Sequence, residues 1–284
     1  SSDLATAASL WVTGAIGVAV GLGALDVAVT LATLGAPLTQ AQWAPLRGLP
    51  GLCVEQSTWR GPGDSDEDAV GAGAWLLELE ARDTPDVVHL HDCVLGALPL
   101  RRPPLVVAPD CPLAWNEAVW GEPTPARGLR DRWAVVRGLR AAGAVVAPHA
   151  ARLEALERHY GPLPEAHVIA PARRAEDFPA DGVREPFILA TGDWWDEARN
   201  LQVLEPVAAE VHWPVRVVGG HEHPDGGLMR ARAVRLLGPL APEPLAAQLA
   251  RASIYVLPAR HEPQGGAALE AALAGCALVL ADIP

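Results

Sequence analysis

From Phe187 onward the chain repeats one pattern: a short, largely apolar run, a polar loop, and a helical segment. "FILATGD", "PVRVVGG", "AVRLLG", "IYVLPA" and "ALVLAD" read as strands, and residues 200–210, 242–251 and 265–274 as helices. A strand with one wet face alternates apolar and polar residues. Runs this apolar are buried on both faces, as parallel strands joined by crossover helices are. The first half carries the same signal in Val27 to Leu34, "DVVHLHD", "PLVVAPD" and "AVVAPH", with helices over 129–142 and in "AARLEALERHYG", which Gly161 closes. The expected architecture is α/β, with doubly wound parallel sheets.

At 284 residues the chain exceeds what one core usually organises. The stretch 166–186, "AHVIAPARRAEDFPADGVREP", breaks the rhythm with Pro, Gly and mixed charge and reads as an interdomain linker. Two domains follow, 1–172 and 173–284, with a cleft between them. In open α/β sheets ligands sit beyond the carboxyl ends of strands, so the strand-end residues carry the functional information. Within the first domain, "GAPLTQAQ" predicts a turn and a helix capped at Thr39. Residues 59–73 read as an exposed acidic loop feeding a helix around Trp75 to Arg82. Ala7 to Leu25 carries no charge and is about long enough to span a bilayer. No Lys or Arg flanks it, Asp26 follows at once, and a buried helix leading into a strand is the expectation.

The formal net charge of -12 repels nucleic acid and anionic membrane surfaces. All 22 basic residues are arginine. The four cysteines have no C-x-x-C spacing, which points to reduced thiols and a cytoplasmic protein. "HEH" at 221–223 lacks an evident third ligand, so its loop is expected to line a ligand site rather than hold a metal.

Two strand-end loops of the second domain concentrate groups that welcome anions. Arg199 follows "FILATGDWWDEA" at a predicted helix start, where a guanidinium can hold a diphosphate by paired hydrogen bonds. In "YVLPARHEPQGGAALEAALAGC", Gly265 and Gly266 let the backbone approach a ligand closely, with Glu262 in the loop and Glu270 one to two turns into the helix. In the first domain, His91 ends a strand and either faces a ligand or is a hydrogen-bonded core histidine. Trp115 and Trp120 lie in a loop suited to stacking on sugar rings or to packing as a lid.

With these residues in place, the chain resembles the retaining nucleotide-sugar glycosyltransferases of the family 4 type. Their fold, GT-B, is two Rossmann-like domains facing across a deep cleft. The family's E-x7-E signature is matched by "EPQGGAALEA", and "DVVHLHD", "AAGAVVAPHAARLEALERHYG" and "RLLGPLAPEPLAAQLARASIYVLPA" resemble further family segments. The resemblance implies that Glu262 contacts the transferred sugar and that Gly265 and Gly266 offer it backbone N–H groups. Glu270 would hold the ribose, Arg199 would match the diphosphate-binding lysine beside Gly192, and His91 would face the donor sugar from an acceptor-binding N-terminal domain. It implies a nucleotide-diphosphate sugar donor. The acidic balance and the lack of a basic amphipathic helix point to a soluble saccharide or natural-product acceptor, and no Asp-x-Asp metal clamp stands at a strand end, so no divalent metal is expected.

The chain departs from the family at several points. Asp193 stands where an arginine usually follows the glycine, Gln264 replaces the signature's Phe, and "AASLWVT" replaces the N-terminal Gly-Gly loop. "VIAPARR" stands for "VIPNG", and the sequence stops at "ADIP" where relatives continue, so the C-terminal domain is expected to be incomplete. These departures motivate an alternative, a non-catalytic sugar-nucleotide-binding protein of the same fold. A GT-B epimerase would need further acid/base carboxylates that the sequence does not supply.

Overall fold

The computed structural model describes residues 28–59, 66–108, 110–121, 128–223, 226–227 and 230–283. The apolar segment Ala7 to Leu25 and the "AASLWVT" stretch lie outside them. Among the described residues no helix is long and apolar enough to cross a membrane. The described residues fall into two compact units, one drawn from Ser1–Pro109, Ala126–Ala147 and Leu156–Val168, the other from Asp110–Pro125, Pro148–Ala155 and Ile169–Pro284.

The first unit contains two parallel sheets. Strands β1 (Val29–Leu34) and β2 (Leu52–Ser57) pair in register from Val29 opposite Leu52. Between them Thr39 caps the helix Gln40–Trp43 through a capping box with Gln42. Pro45 then sits in a 3-10 turn, Ala44–Leu46, and the helix goes no further. The second sheet has the order β3 (His89–Leu90), β4 (Leu105–Val107), β5 (Ala144–Ala147) and β6 (Glu165–Val168), all parallel. Val106, Val145 and Val146 fill its centre, as runs apolar on both faces require.

Three sequence expectations for this unit change. β2 carried no recognised strand signal, because Glu55, Gln56 and Ser57 dilute its apolar pattern. The stretch expected to be linker begins later, since Glu165–Val168 form an exposed edge strand on β5. The acidic stretch expected to be loop is helical from Asp66, in a helix running to Asp83. Glu67 and Asp68 fall in the first turn of that helix, where the exposed backbone N–H groups and the macrodipole stabilise negative charge.

The second unit is built on one five-stranded parallel sheet: β7 (Glu185–Thr191), β8 (Val215–Val218), β9 (Arg235–Gly238), β10 (Ala252–Leu257) and β11 (Ala277–Leu280), in the order β11-β10-β7-β8-β9. Phe187, Leu189, Tyr255 and Leu249 are essentially inaccessible. Burying an aliphatic or aromatic side chain of this kind contributes roughly 1.5–3 kcal/mol, so this group anchors the unit. Arg184 satisfies carbonyls that helix ends leave over, donating to Leu249 O at 2.9 Å, Ala252 O at 2.8 Å, and Ala274 O. The chain winds one way from β7 to β9 and then crosses to the other side of β7 for β10. The switch point therefore lies between the carboxyl ends of β7 and β10, where a doubly wound sheet offers a ligand crevice.

The fold matches the α/β parallel-sheet expectation, with one further local correction in the second unit. The helix predicted over 200–210 starts as a 3-10 turn, Leu201–Val203, and is α-helical only over Leu204–Glu210. Pro206 has no N–H to donate to the carbonyl of residue 202, so an α-helix cannot run through this point unbroken.

Candidate functional site

The loops leaving β7 and β10 meet at the switch point and are stitched together on either side of Arg199. The carbonyl of Ala198 accepts the Arg260 N–H at 2.8 Å, and Asn200 donates its side-chain amide to Pro258 O at 3.0 Å. Asn200 adopts the left-handed conformation at φ 52°, which asparagine tolerates better than most residues. Arg199 is thereby fixed against Glu262. Its Nη1 donates to Glu262 Oε2, and its Nε lies 3.8 Å from Asp196 Oδ2. Burial works against the Arg199 charge, but Glu262 and Asp196 carry its pKa above the ordinary arginine value. The guanidinium stays charged at any working pH.

The other oxygen of Glu262 accepts the backbone N–H groups of Gln264 at 3.2 Å and Gly265 at 3.0 Å. Gly265 has φ +69° and precedes the helix Gly266–Leu273, so its missing Cβ permits the left-handed turn that aims these amides inward. Arg199 and the glycine turn thus converge on one carboxylate. Gly192 lies beneath: its φ is +135°, and a Cβ there would meet the Arg199 side chain at 3.1 Å. Tyr255 is buried under the same point, its hydroxyl 2.7 Å from Thr191 Oγ1. Burial pushes its phenol up to about 12, so the hydroxyl stays protonated.

Glu270 is held by Arg173, whose Nε donates to Oε1 at 2.6 Å, and the Arg173 Nη2 lies 2.8 Å from where a Cβ on Gly266 would stand. Arg173 belongs to the "PARR" stretch that departs from the family pattern. Asp193 turns to the neighbouring loop, where its Oδ1 accepts the Gly220 N–H at 2.5 Å. Arg199 itself sits in a turn before a 3-10 segment rather than at an α-helix start, so the helix-dipole contribution expected there is replaced by the guanidinium alone.

His91 follows directly on β3 in the first unit, one residue past its end at Leu90. Its ring stacks on His89 with centroids 4.8 Å apart, and its Nε2 is buried without a hydrogen-bond partner among the described residues. Burial first, then the neighbouring His89, lowers its pKa to about 4. Trp115 and Trp120 lie on the helix Pro112–Trp120, which groups with the second unit, rather than in a loop of the first; they stack edge to face at 4.9 Å, and Trp120 Nε1 donates to Glu197 Oε2 at 3.2 Å. His223 packs edge to face on Trp195, and among the described residues no three His, Cys, Asp or Glu side chains gather as metal ligands.

Sequence reasoning missed a second layer around Glu262. Asp110, His149 and Arg152 all group with the second unit and surround the residues flanking Glu262. His261 Nε2 is 2.9 Å from Asp110 Oδ1 and 3.2 Å from Arg152 Nη2, and His149 Nε2 is 3.2 Å from Pro263 O. The available signal was position alone: "PLVVAPD" and "AVVAPH" both end a strand in a polar residue. A cavity of about 290 Å³ opens beside this layer, lined by His149, Glu262, Gln264, Gly265 and Ala268 among others.

Comparison with known proteins supplies the class. Residues 185–284 match the family model described as "Glycosyl transferases group 1". The fold is similar to that of sucrose-phosphate synthase from Thermosynechococcus elongatus, at TM-score 0.68 and 15% identity over 92% of this chain and 73% of that one. WaaG, a glycosyltransferase involved in lipopolysaccharide biosynthesis, aligns at TM-score 0.59 and 14% identity, covering 88% of this chain and 80% of its own. The lipopolysaccharide outer core galactosyltransferase WaaB aligns at TM-score 0.54 and 12% identity, over 90% and 81%. No curated protein sequence matches the chain significantly. The fold is GT-B, and residues 185–284, about a third of the chain, are similar to the group 1 glycosyltransferases. The match over residues 185–284 points to glycosyltransferase activity of the group 1 type, a family whose donors are nucleotide sugars.

Proposed function

We propose that the chain is a retaining transferase that moves a sugar from a nucleotide-diphosphate donor to a soluble saccharide or natural-product acceptor. The observation that carries this reading is the convergence of Arg199 and the Gly265 turn on Glu262 at the β7/β10 switch point. In this reading the domain of residues 1–172 binds the acceptor and that of residues 173–284 the donor.

Breaking the anomeric C–O bond builds positive charge on the sugar and negative charge on the departing diphosphate. Arg199, lying across Gly192, is the cation that takes up the leaving-group charge. A preorganised donor aimed at developing charge is worth about 3–4 kcal/mol of barrier. Glu262 faces the sugar, the Gly265 and Gly266 amides complete its environment, and Glu270 takes the ribose. For the diphosphate to take Arg199, the Arg199–Glu262 pair has to open, and the carboxylate so released turns to the sugar hydroxyls. His91, neutral at ordinary pH, faces the donor sugar. Attack on the face that the leaving group vacates retains the anomeric configuration. No step assigned here requires a divalent metal.

The acidic net charge supports a soluble acceptor over one in an anionic membrane, and four cysteines without a disulfide among them support a cytoplasmic site. Proton NMR of the product from an α-linked nucleotide sugar tests the stereochemistry. An α-linked product is expected; a β-linked one overturns the retaining assignment.

A further inference from the structure

Glu262 carries the proposed chemistry but sits on a loop, and its position depends on what holds residues 261 and 263. Both neighbours are tethered. On one side His261, only 9% exposed, lies between Asp110 Oδ1 at 2.9 Å and Arg152 Nη2 at 3.2 Å. Arg152 is buried to 4% exposure and lies 3.4 Å from the same Asp110 oxygen. On the other side the Pro263 carbonyl faces His149 Nε2 at 3.2 Å.

The His149 ring has one consistent protonation. The backbone N–H of Arg152 points at Nδ1 from 3.2 Å, shared with the His149 carbonyl at 3.1 Å, and an N–H can only be answered by an acceptor. Nδ1 is therefore bare and Nε2 carries the proton. A carbonyl oxygen can only accept, so the Pro263 contact is a donated Nε2–H···O bond. Burial and the charge of Arg152 keep the His149 pKa below the ordinary histidine value, which preserves this neutral form. The ring thus does two things at once: Nδ1 caps the first turn of the helix Ala150–Tyr160, and Nε2 reaches across to the Glu262 loop.

We infer that His149 is a positioning residue for Glu262, transmitting the fixed helix start at residue 150 to the Pro263 carbonyl so that the carboxylate meets Arg199 and the Gln264 and Gly265 amides. The inference rests on the transferase reading for its functional meaning. Its test needs no nucleotide sugar, so failure of one is distinguishable from failure of the other.

Two substitutions separate the ring's two tasks. His149→Asn places an acceptor near Nδ1 and keeps the helix cap but has nothing at Nε2. His149→Gln places an amide donor at the reach of Nε2 and gives up the cap. Amide hydrogen exchange on the full chain reads the outcome at Gln264 and Gly265, with Leu189 and Tyr255 in the sheet as internal controls. Loss of one net hydrogen bond corresponds to roughly tenfold, so Asn is expected to speed exchange at Gln264 and Gly265 about tenfold with the controls unchanged. Gln is expected to stay within about threefold of the parent protein at the same two amides. The inference is overturned if Asn leaves both amides as protected as before, or if Gln loosens them as much as Asn does. A long-range ¹H–¹⁵N spectrum of the unsubstituted protein gives a second test without any variant. The His149 ring is expected in the Nε2–H form, and an Nδ1–H ring would contradict the tether.

Discussion

Arg199 and Glu262 stand 63 residues apart in sequence and are joined side chain to side chain at the carboxyl ends of two adjacent strands. The second oxygen of Glu262 is taken by the amides of Gln264 and Gly265. Every strong donor around this carboxylate is also one that a diphosphate sugar would seek. In the proposed reading the pair is a preformed match of charge and direction that a donor would exchange into, at a point where both loops are already fixed by the Ala198–Arg260 and Asn200–Pro258 hydrogen bonds.

Asp193 occupies the position of a family arginine but holds Gly220. Asp193→Ala is expected to destabilise the protein by about 1–3 kcal/mol, the range for losing a charged hydrogen-bond partner. Asp193→Arg is expected to do the same without tightening the binding of UDP, because the place of the side chain is toward the neighbouring loop. Urea denaturation and titration calorimetry check both. Unchanged stability, or tighter UDP binding by the arginine variant, would contradict the role given to Asp193.

Glycine is required at two positions for different reasons. At Gly219, φ is +152° and a Cβ would stand 1.9 Å from the Gly192 carbonyl oxygen, so backbone has to move. Gly219→Ala is expected to cost more than about 3 kcal/mol. At Gly265 nothing lies within 4 Å of a Cβ, and only the left-handed backbone is penalised. Gly265→Ala is therefore expected to cost about 1–2 kcal/mol. Equal losses in denaturant unfolding would refute the distinction.

His91 makes stability depend on pH. Its folded pKa of about 4 lies below the ordinary 6.5, so the unfolded chain binds the extra proton first as pH falls. Stability from this group is complete above about pH 6.5 and is lost progressively down to about pH 4, by up to about 3 kcal/mol. His91→Gln is expected to flatten the stability profile in that window. A profile unchanged by the substitution, or a His91 titration in NMR near 6.5, would contradict its burial.

Glu270 is placed on a helix and salt-bridged to Arg173, away from the bond that breaks in the proposed reaction. Glu270→Gln is expected to raise the donor KM about tenfold and leave kcat within about threefold, the signature of binding that is the same in ground and transition states. A kcat loss larger than the KM change would move Glu270 into the chemistry.

Much of this was legible in the sequence because the strands of the second unit are apolar on both faces, and that property is local. The E-x7-E spacing located Glu262 and Glu270 for the same reason: one loop and one helix turn carry both. The tethers of Glu262 were not legible. Asp110 and His149 lie 152 and 113 residues away from it in sequence, and their contacts with His261 and Pro263 exist only through the chain path. Arg173 was hidden differently. It sits in a stretch whose Pro, Gly and charge content signals irregular backbone, and composition does not say which arginine of such a stretch turns inward. The 3-10 start at Leu201 depends on one residue, Pro206, at a fixed offset that an apolar periodicity does not register.

The central claim is that Arg199 and Glu262 carry sugar transfer. Nucleotide release from a panel of UDP, GDP and dTDP sugars, followed for the parent protein and for Arg199→Ala and Glu262→Ala, tests it most directly. At least one donor is expected to be turned over by the parent protein and at least about 100-fold more slowly by each variant. Release that both substitutions leave unchanged, or no release from any donor in the panel despite tight binding, would contradict it.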